Sequence, residues 1–292
     1  MAVPDLTLFN RMAFALDNTT SSLQQVQQQM ASGKKVNQPS DNPMAFAQAS
    51  VLSAQNSALS NDTLLGQQVQ AQLSTADNAL SSAANSINSA ITIATEASDA
   101  VTSTSSMAGL GSQVESILQQ IIGAANSQYG GTYLFAGNQV ATAAYDSSGN
   151  YAGDHGTNSV TFSDGTKVQT SFDGTSIFGD TTSGIIGTLT SLAAALNSGN
   201  KTAVAATLSQ LQAGLSTIAS ARGNLGTAMS SVTSMLNNAS AESTTIQTSL
   251  SNLVDADVAQ EAAHEQETLL EQQALVSLGS SLSKIPLVNI LA

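Results

Sequence analysis

The sequence predicts a mainly α protein: a long antiparallel coiled-coil helical rod built from both chain ends, with a small β-rich insert at the distal end. Three observations predict it. Apolar residues recur at heptad spacing over two long stretches, one in each half of the chain. Between them the composition shifts to glycine, tyrosine and alternating apolar positions. The whole chain is dominated by Ala, Ser, Thr, Gln, Asn and Leu, with 4% aromatics. That composition suits helices packed through narrow, small-residue seams.

Residues 1–42 read as a first terminal helix and a turn. Phe9, Leu16, Leu23 and Met30 lie at steps of seven, flanked mostly by Gln, Ser, Thr and Asn. So few heptads are marginal alone, so this helix needs a partner. The stretch MASGKKVNQPSDNPMAFAQA, Met30 to Ala49, then holds two of the seven basic residues and two of the four prolines. Gly33 is placed to end the helix in a left-handed conformation. Lys34 and Lys35 follow at the negative end of its dipole. Pro39 forces an extended segment. Asp41 or Asn42 caps the next helix, with Pro43 in its first turn, where a missing N–H costs nothing.

Residues 43–128 read as a long rod helix. Ala45, Leu52, Leu59, Gly66, Leu73, Leu80, Ile87, Ala94 and Val101 form one column at steps of seven. Ala76, Ala83, Ala90 and Ala97 form a second, three residues on. Alanines there let a neighbouring helix approach closely. A helix of about 60 residues is about 90 Å long at 1.5 Å per residue.

Residues 129–184 read as the β-rich insert. All four tyrosines fall between 129 and 151. Gly131 to Gly137, GTYLFAG, reads as a short strand. SVTFSDGTKVQTSF reads as a hairpin, with Val160 and Phe162 alternating, Asp164-Gly165 as a type I′ turn, and Val168, Thr170 and Phe172 running back. Residues 185–254 read as the return helices. From Val204 to Leu253 apolar residues follow alternating steps of four and three, broken only by Arg222 and Ser243. An unsupercoiled helix would drift off that register. Residues 255–292 read as the second terminal helix, with Leu275, Leu278, Leu282 and Ile285 on one face.

Composition also excludes functions. The net charge is −13, with only 7 basic residues. Nucleic acid and anionic membrane both need a basic surface, so neither is expected as a partner. The N-terminus has no basic segment leading into an apolar one, so no Sec signal is expected. No window reaches the roughly 18 apolar residues of a membrane span. These signals read as cytosolic unless the chain is exported by a route without a cleaved signal. With no cysteine and two histidines, catalysis and cofactor binding are not expected. His264 opens HEQET, but Thr268 stands where a second zinc ligand would be. ASGKK lacks the earlier glycine of a phosphate loop. Asp146, Asn150 and Asp154 could offer oxygens to calcium, but their spacing fits no EF-hand and reads more plainly as a polar loop. The acids Asp255, Asp257, Glu261, Glu265, Glu267 and Glu271 read as a solvated face or one side of a subunit contact.

Four segments in order carry a family resemblance. These are QMASGKKVNQPSDNPMAFAQA, NSQYGGTYLFAGNQVATAAY, ARGNLG, and the run from Asp255 that begins DADVAQEAAHEQETLLEQQ. Together they resemble the flagellin superfamily. The Pro39 to Pro43 form of the turn is more like its hook-associated junction proteins than its filament subunits. The chain departs at its tips: it opens without the usual Arg-Ile-Ser-Thr, and Pro286 stands where the family continues a helix.

The resemblance implies a structural subunit of the bacterial flagellum, at the hook–filament junction. It implies export, unfolded, through the flagellar type III apparatus, with an export chaperone on the C-terminal region. It implies ring assembly with copies of itself on the first hook-associated protein, and a surface on which flagellin polymerises. The alternative is a flagellin that forms the filament itself. On either reading the terminal helices order on assembly. The expected interface is Phe9, Leu16, Leu23, Met30, Lys34, Lys35, Leu275, Leu278, Leu282 and Ile285, with the two lysines meeting acidic residues of a neighbouring subunit.

Overall fold

A computed structural model describes residues 3–99 and 103–282. In chain order it contains α1 (Val3–Ser32), α2 (Pro43–Ser98), α3 (Thr104–Ala125), β1 (Gln128–Tyr129), β2 (Thr132–Tyr133), β3 (Ser159–Thr161), β4 (Lys167–Gln169), α4 (Gly174–Phe178), α5 (Gly184–Asn197), α6 (Lys201–Val254) and α7 (Val258–Leu282). It is mainly α, with long helices from the two halves of the chain packed together and a small antiparallel β insert. The chain forms two compact units. One is Ala58–Ala241; the other joins the residues up to Ser57 to those from Glu242.

In the Ala58–Ala241 unit, α2 and α6 run antiparallel. Gly66 lies against Leu236 and Met235, Gln70 Nε2 donates to Thr233 Oγ1 at 3.5 Å, and Asp77 meets Arg222. Leu73, Leu80, Ile87 and Ala94 of the first column are fully buried, as are Ala76, Ala83, Ala90 and Ala97 of the second. On α6 every seventh residue is buried: Val204, Leu211, Ile218, Leu225, Val232 and Ala239. The intervening Leu208, Leu215, Met229 and Leu236 are half-buried. Arg222, one of the two polar breaks, falls in this shallower column. Its guanidinium donates to both carboxylate oxygens of Asp77, at 2.8 and 3.1 Å.

The stretch read as one helix over 43–128 contains two. α2 ends at Ser98, and Ser103 caps α3 by accepting from the Ser106 N–H at 3.2 Å. Val101, the last residue of the expected column, lies outside the described residues. Ser103 suits that position, since a serine side chain competes with the helix through its own hydrogen bonds and favours caps. α3 packs on α5, burying Met107, Val114 and Ile121 against Ile185, Leu189 and Leu192.

The insert differs from the sequence reading at both turns. Gly131–Gly137 is strand only at Thr132–Tyr133. That strand pairs with β1 across Gly130 and Gly131, whose φ values are 58° and 82°. Two left-handed residues make this the type I′ turn. The β3–β4 turn is not one. No non-glycine residue among those described has positive φ, so Asp164 cannot occupy a type I′ corner. Gly165 alone is left-handed, at φ 85°, and its N–H reaches Phe162 O at 3.0 Å. That is the three-residue loop in which a type I turn is followed by a left-handed glycine. Asp164 stabilises it by accepting from the Thr166 N–H at 2.8 Å.

Eight of the eleven aromatic residues lie in the insert, so its core is aromatic where the helical seam is aliphatic. Phe135 packs edge-on to Phe178 at 5.2 Å, and Tyr145 does so at 6.3 Å. The buried Tyr145 hydroxyl donates to Gly179 O at 2.7 Å, and burial pushes its pKa up. Burial and the charge of Asp173 push Tyr151 up to about 12. Both phenols are therefore structural donors at neutral pH.

Candidate assembly surface

In the second unit the chain turns where α1 stops. Gly33, at φ 69°, turns the chain out of the helix. The residues after it lie along the end of α6, whose last carbonyls have no partner within the helix. The Lys35 N–H donates to Val254 O at 2.7 Å, and Lys35 Nζ to Asn252 O at 2.8 Å. The Ala256 N–H returns a bond to Gly33 O at 2.9 Å. Lys35 thus places its charge at the negative end of α6. Lys34 pairs by its backbone with Asp255, and its side chain is exposed.

Asp41 and Asn42 divide the capping work. Asn42 caps α2: its Oδ1 accepts from the Ala45 N–H at 3.0 Å. Asp41 instead folds the connector, accepting from the Asn37 and Gln38 N–H groups at 2.8 and 3.0 Å. These two donors hold its carboxyl below the usual carboxylate range. Ser243, the other polar break in α6, donates to Asn56 Oδ1 of α2 at 2.7 Å. Asp257 caps α7, accepting from the Ala259 and Gln260 N–H groups at 3.0 and 3.2 Å.

The two terminal helices, each expected to need a partner, pair with one another. Gln27 Nε2 donates to Glu265 Oε1 at 3.2 Å, Gln272 Nε2 donates to Thr20 Oγ1 at 3.3 Å, and Gly279 lies against Met12. One number rises as the other falls, so the pair is antiparallel. Its seam is lined by Met12, Leu16, Leu23, Met30, Leu269 and Leu275, which are only half-buried. Among the described side chains, the buried ones are Thr19, Val26 and Thr268. Large apolar side chains lie outside: Phe9 is 57% exposed, Phe14 68%, Leu270 65% and Leu278 51%. A self-sufficient soluble hairpin buries its large apolar residues more completely.

The expected interface residues therefore divide. Leu16, Leu23, Met30 and Leu275 are half-buried along the α1–α7 seam. Phe9, Lys34, Lys35 and Leu278 are exposed. Leu275 faces α1, whereas Leu278, about 60° further round the helix, is exposed at the edge of the same face. Leu282 ends α7 and its side chain is outside the described residues, as is Ile285. Sequence reasoning missed the most buried column of α1, which is Met12, Thr19 and Val26. It lies three residues beyond the Phe9 column, but a threonine in the middle hid its heptad spacing. The acid run behaves as a mostly solvated face. Asp255, Asp257, Glu267 and Glu271 are exposed; Glu261 and Glu265 are half-buried beside α1.

Other chemistry is spoken for locally. Asp146 accepts from the Ser148 and Asn150 N–H groups, and Asp154 from those of Asn138 and Gly156. Backbone donors thus occupy Oδ1 of each aspartate, as expected of a polar loop. Among the described residues no group of three His, Asp or Glu could hold a metal. None of the described helices is long and apolar enough to cross a membrane. His264 lies on α7, exposed, with Nδ1 3.4 Å from Thr268 Oγ1.

Comparison with known proteins places this geometry. The bacterial flagellin N-terminal helical region matches residues 6–140, and the bacterial flagellin C-terminal helical region matches residues 208–291. Flagellar hook-associated protein 3 of Salmonella typhimurium is 29% identical over 163 residues, covering 55% of this chain and 51% of that protein. Its Escherichia coli counterpart is 31% identical over 140 residues, covering 47% and 44%. The chain thus spans about half the length of the curated relatives it matches. The fold is similar to that of Bacillus cereus FlgL, with a TM-score of 0.60 at 19% identity, covering 70% of this chain and 98% of that one. It is also similar to flagellar hook associated protein-3 from Legionella pneumophila, with a TM-score of 0.60 at 14% identity, covering 71% and 98%.

Proposed function

Because the chain belongs to the flagellin superfamily, on its hook-associated protein 3 branch, we propose that it is the structural subunit joining hook to filament in the bacterial flagellum, with no reaction of its own. The observation that carries this reading is the incomplete burial of α1 and α7, whose seam leaves Leu16, Leu23 and Leu275 half-buried and Phe9, Phe14, Leu270 and Leu278 outside. Such a pair gains its main apolar burial only when neighbours cover it. It would seat on the first hook-associated protein and on copies of itself, and would offer flagellin a surface to polymerise on. Its route would be the flagellar type III apparatus, with a chaperone holding the C-terminal region until exit. Low charge density and the absence of cysteine are compatible with unfolded transit. The turn from Pro39 to Pro43 and the Tyr133–Gly137 segment favour a junction subunit over a filament subunit.

Electron microscopy of a strain lacking the chain tests this, paired with an assay for flagellin in the medium. Bare hooks and abundant unpolymerised flagellin are expected. Hooks without flagellin anywhere would make the chain the filament subunit. Normal filaments would remove it from the assembly.

A further inference from the structure

The unit holding both termini contains a furrow of about 770 Å³ that the pairing of α1 with α7 leaves open. Its α2 wall is Phe46, Ser50, Ser53 and Ser57, at steps of four, three and four, hence one helix face. Its α6 wall includes Leu250 and Val254, and Lys34 stands at the connector end. The serines do not make it a polar site. Ser50 Oγ donates to Phe46 O and Ser57 Oγ to Ser53 O, both at 2.9 Å, within their own helix. What they present is small size over an apolar floor, which admits a helix ridge rather than a hydrogen-bonded small molecule.

Resting on the junction reading above, we infer that this furrow receives α7 of a second copy of the chain, through the ridge Leu270, Ala274 and Leu278. These three residues lie at i, i+4 and i+8, and all are exposed. The ridge is about 12 Å long and the α2 wall from Phe46 to Ser57 about 17 Å, at 1.5 Å per residue. A chain cannot fill its own furrow. Asp255 lines it, but Leu270 lies about 20 Å further along α7. The bonds of Gln272 to Thr20 and the contact of Gly279 with Met12 hold that part of α7 on α1.

Charge orients the docking. Glu267 and Glu271 adjoin the ridge and are exposed, and α7 contains no lysine or arginine. Lys34 at the furrow mouth is their complement. Asp255 at the same end repels them, which selects one direction of entry. Ridge and furrow are different surfaces, so the contact is head-to-tail and propagates around a ring or along a helix.

The natural chain has no cysteine, so a disulfide test has no background within it. The full chain carrying Ser53→Cys with Ala274→Cys is expressed in place of the wild type, hook–filament complexes are isolated, and mild oxidation is followed by a non-reducing gel. A ladder of multiples is expected. Val51→Cys with Ala274→Cys, on the far side of α2, is expected to give none. Adding Lys34→Glu should cut the ladder at least three-fold, and Glu271→Lys should restore it. A photo-reactive side chain at residue 53 should label the peptide containing Leu270–Leu278. Chain present in the complexes without a ladder, an equal ladder from the Val51 variant, or labelling of a different protein overturns the docking and leaves the junction function standing. Chain absent from the complexes overturns both.

Discussion

Individual residues carry the connector. Gly33 sits at φ 69° with nothing within 4 Å of where a Cβ would be. Gly33→Ala should therefore cost about 1 kcal/mol through backbone conformation alone, and Gly33→Asn less. Urea unfolding measures both; equal costs would mean the position is not left-handed. Asn42→Ala should cost about 1 kcal/mol by removing the α2 cap, whereas Asp41→Asn should leave α2 intact and loosen Asn37 and Gln38. Asp41 also sets a pH dependence. Its folded pKa lies below the unfolded one, so its contribution is complete above the ordinary carboxylate value of about 3.9 and is lost as pH falls through the folded value. Amide shifts of Asn37 and Gln38 in an acid titration should move only below that range.

At the scale of elements, α2 and α6 are matched by two polar exceptions in otherwise apolar columns. Arg222 meets Asp77, and Ser243 meets Asn56. The members of the two pairs are 21 residues apart on each helix, three heptads, so each pair disfavours a slipped register in its own unit. Arg222 and Asp77 are 40% and 31% exposed, so a double-mutant cycle should give a coupling of about 0.5–1 kcal/mol. Replacing both by leucine should change stability little while lowering register specificity. A coupling near zero would leave the pair without a role in register. The terminal helices are the other extreme. Among the described side chains their seam buries only Thr19, Val26 and Thr268, and the two threonines contribute little hydrophobic stabilisation. Hydrogen exchange on the free chain should show α1 and α7 opening far more readily than the buried seam of α2 around Leu80. Equal protection would contradict a pair completed only by assembly.

For the molecule as a whole, charge decides when copies meet. With a net charge of −13 and a pI near 4.1, free chains repel one another at neutral pH and low salt. Raising ionic strength from about 10 to 150 mM shortens the screening length from about 30 to 8 Å. Self-association of the purified chain, followed by light scattering, should therefore rise over that range, even though screening weakens the Lys34 contact. A fall with salt would mean that local attraction between charges outweighs the net repulsion. The two compact units also divide stability: the buried aliphatic seam and aromatic insert belong to Ala58–Ala241, while the exposed apolar side chains of α1 and α7 belong to the other.

The sequence by itself determined the long helices, their heptad columns and the end of α1 at Gly33, because periodicity and a left-handed glycine are local properties. It also determined the family, through four short segments whose spacing is covalent. Only the tertiary structure decided that Asn42 and not Asp41 caps α2, that the type I′ turn is Gly130-Gly131 and not Asp164-Gly165, and that α2 and α3 are separate helices. It alone revealed that Thr19 and Thr268 are buried in the α1–α7 seam while Leu270 and Phe14 face out. Those outcomes turn on which of several chemically adequate groups reaches a given N–H or a given neighbour first, and that competition is settled by distance in space rather than by position along the chain.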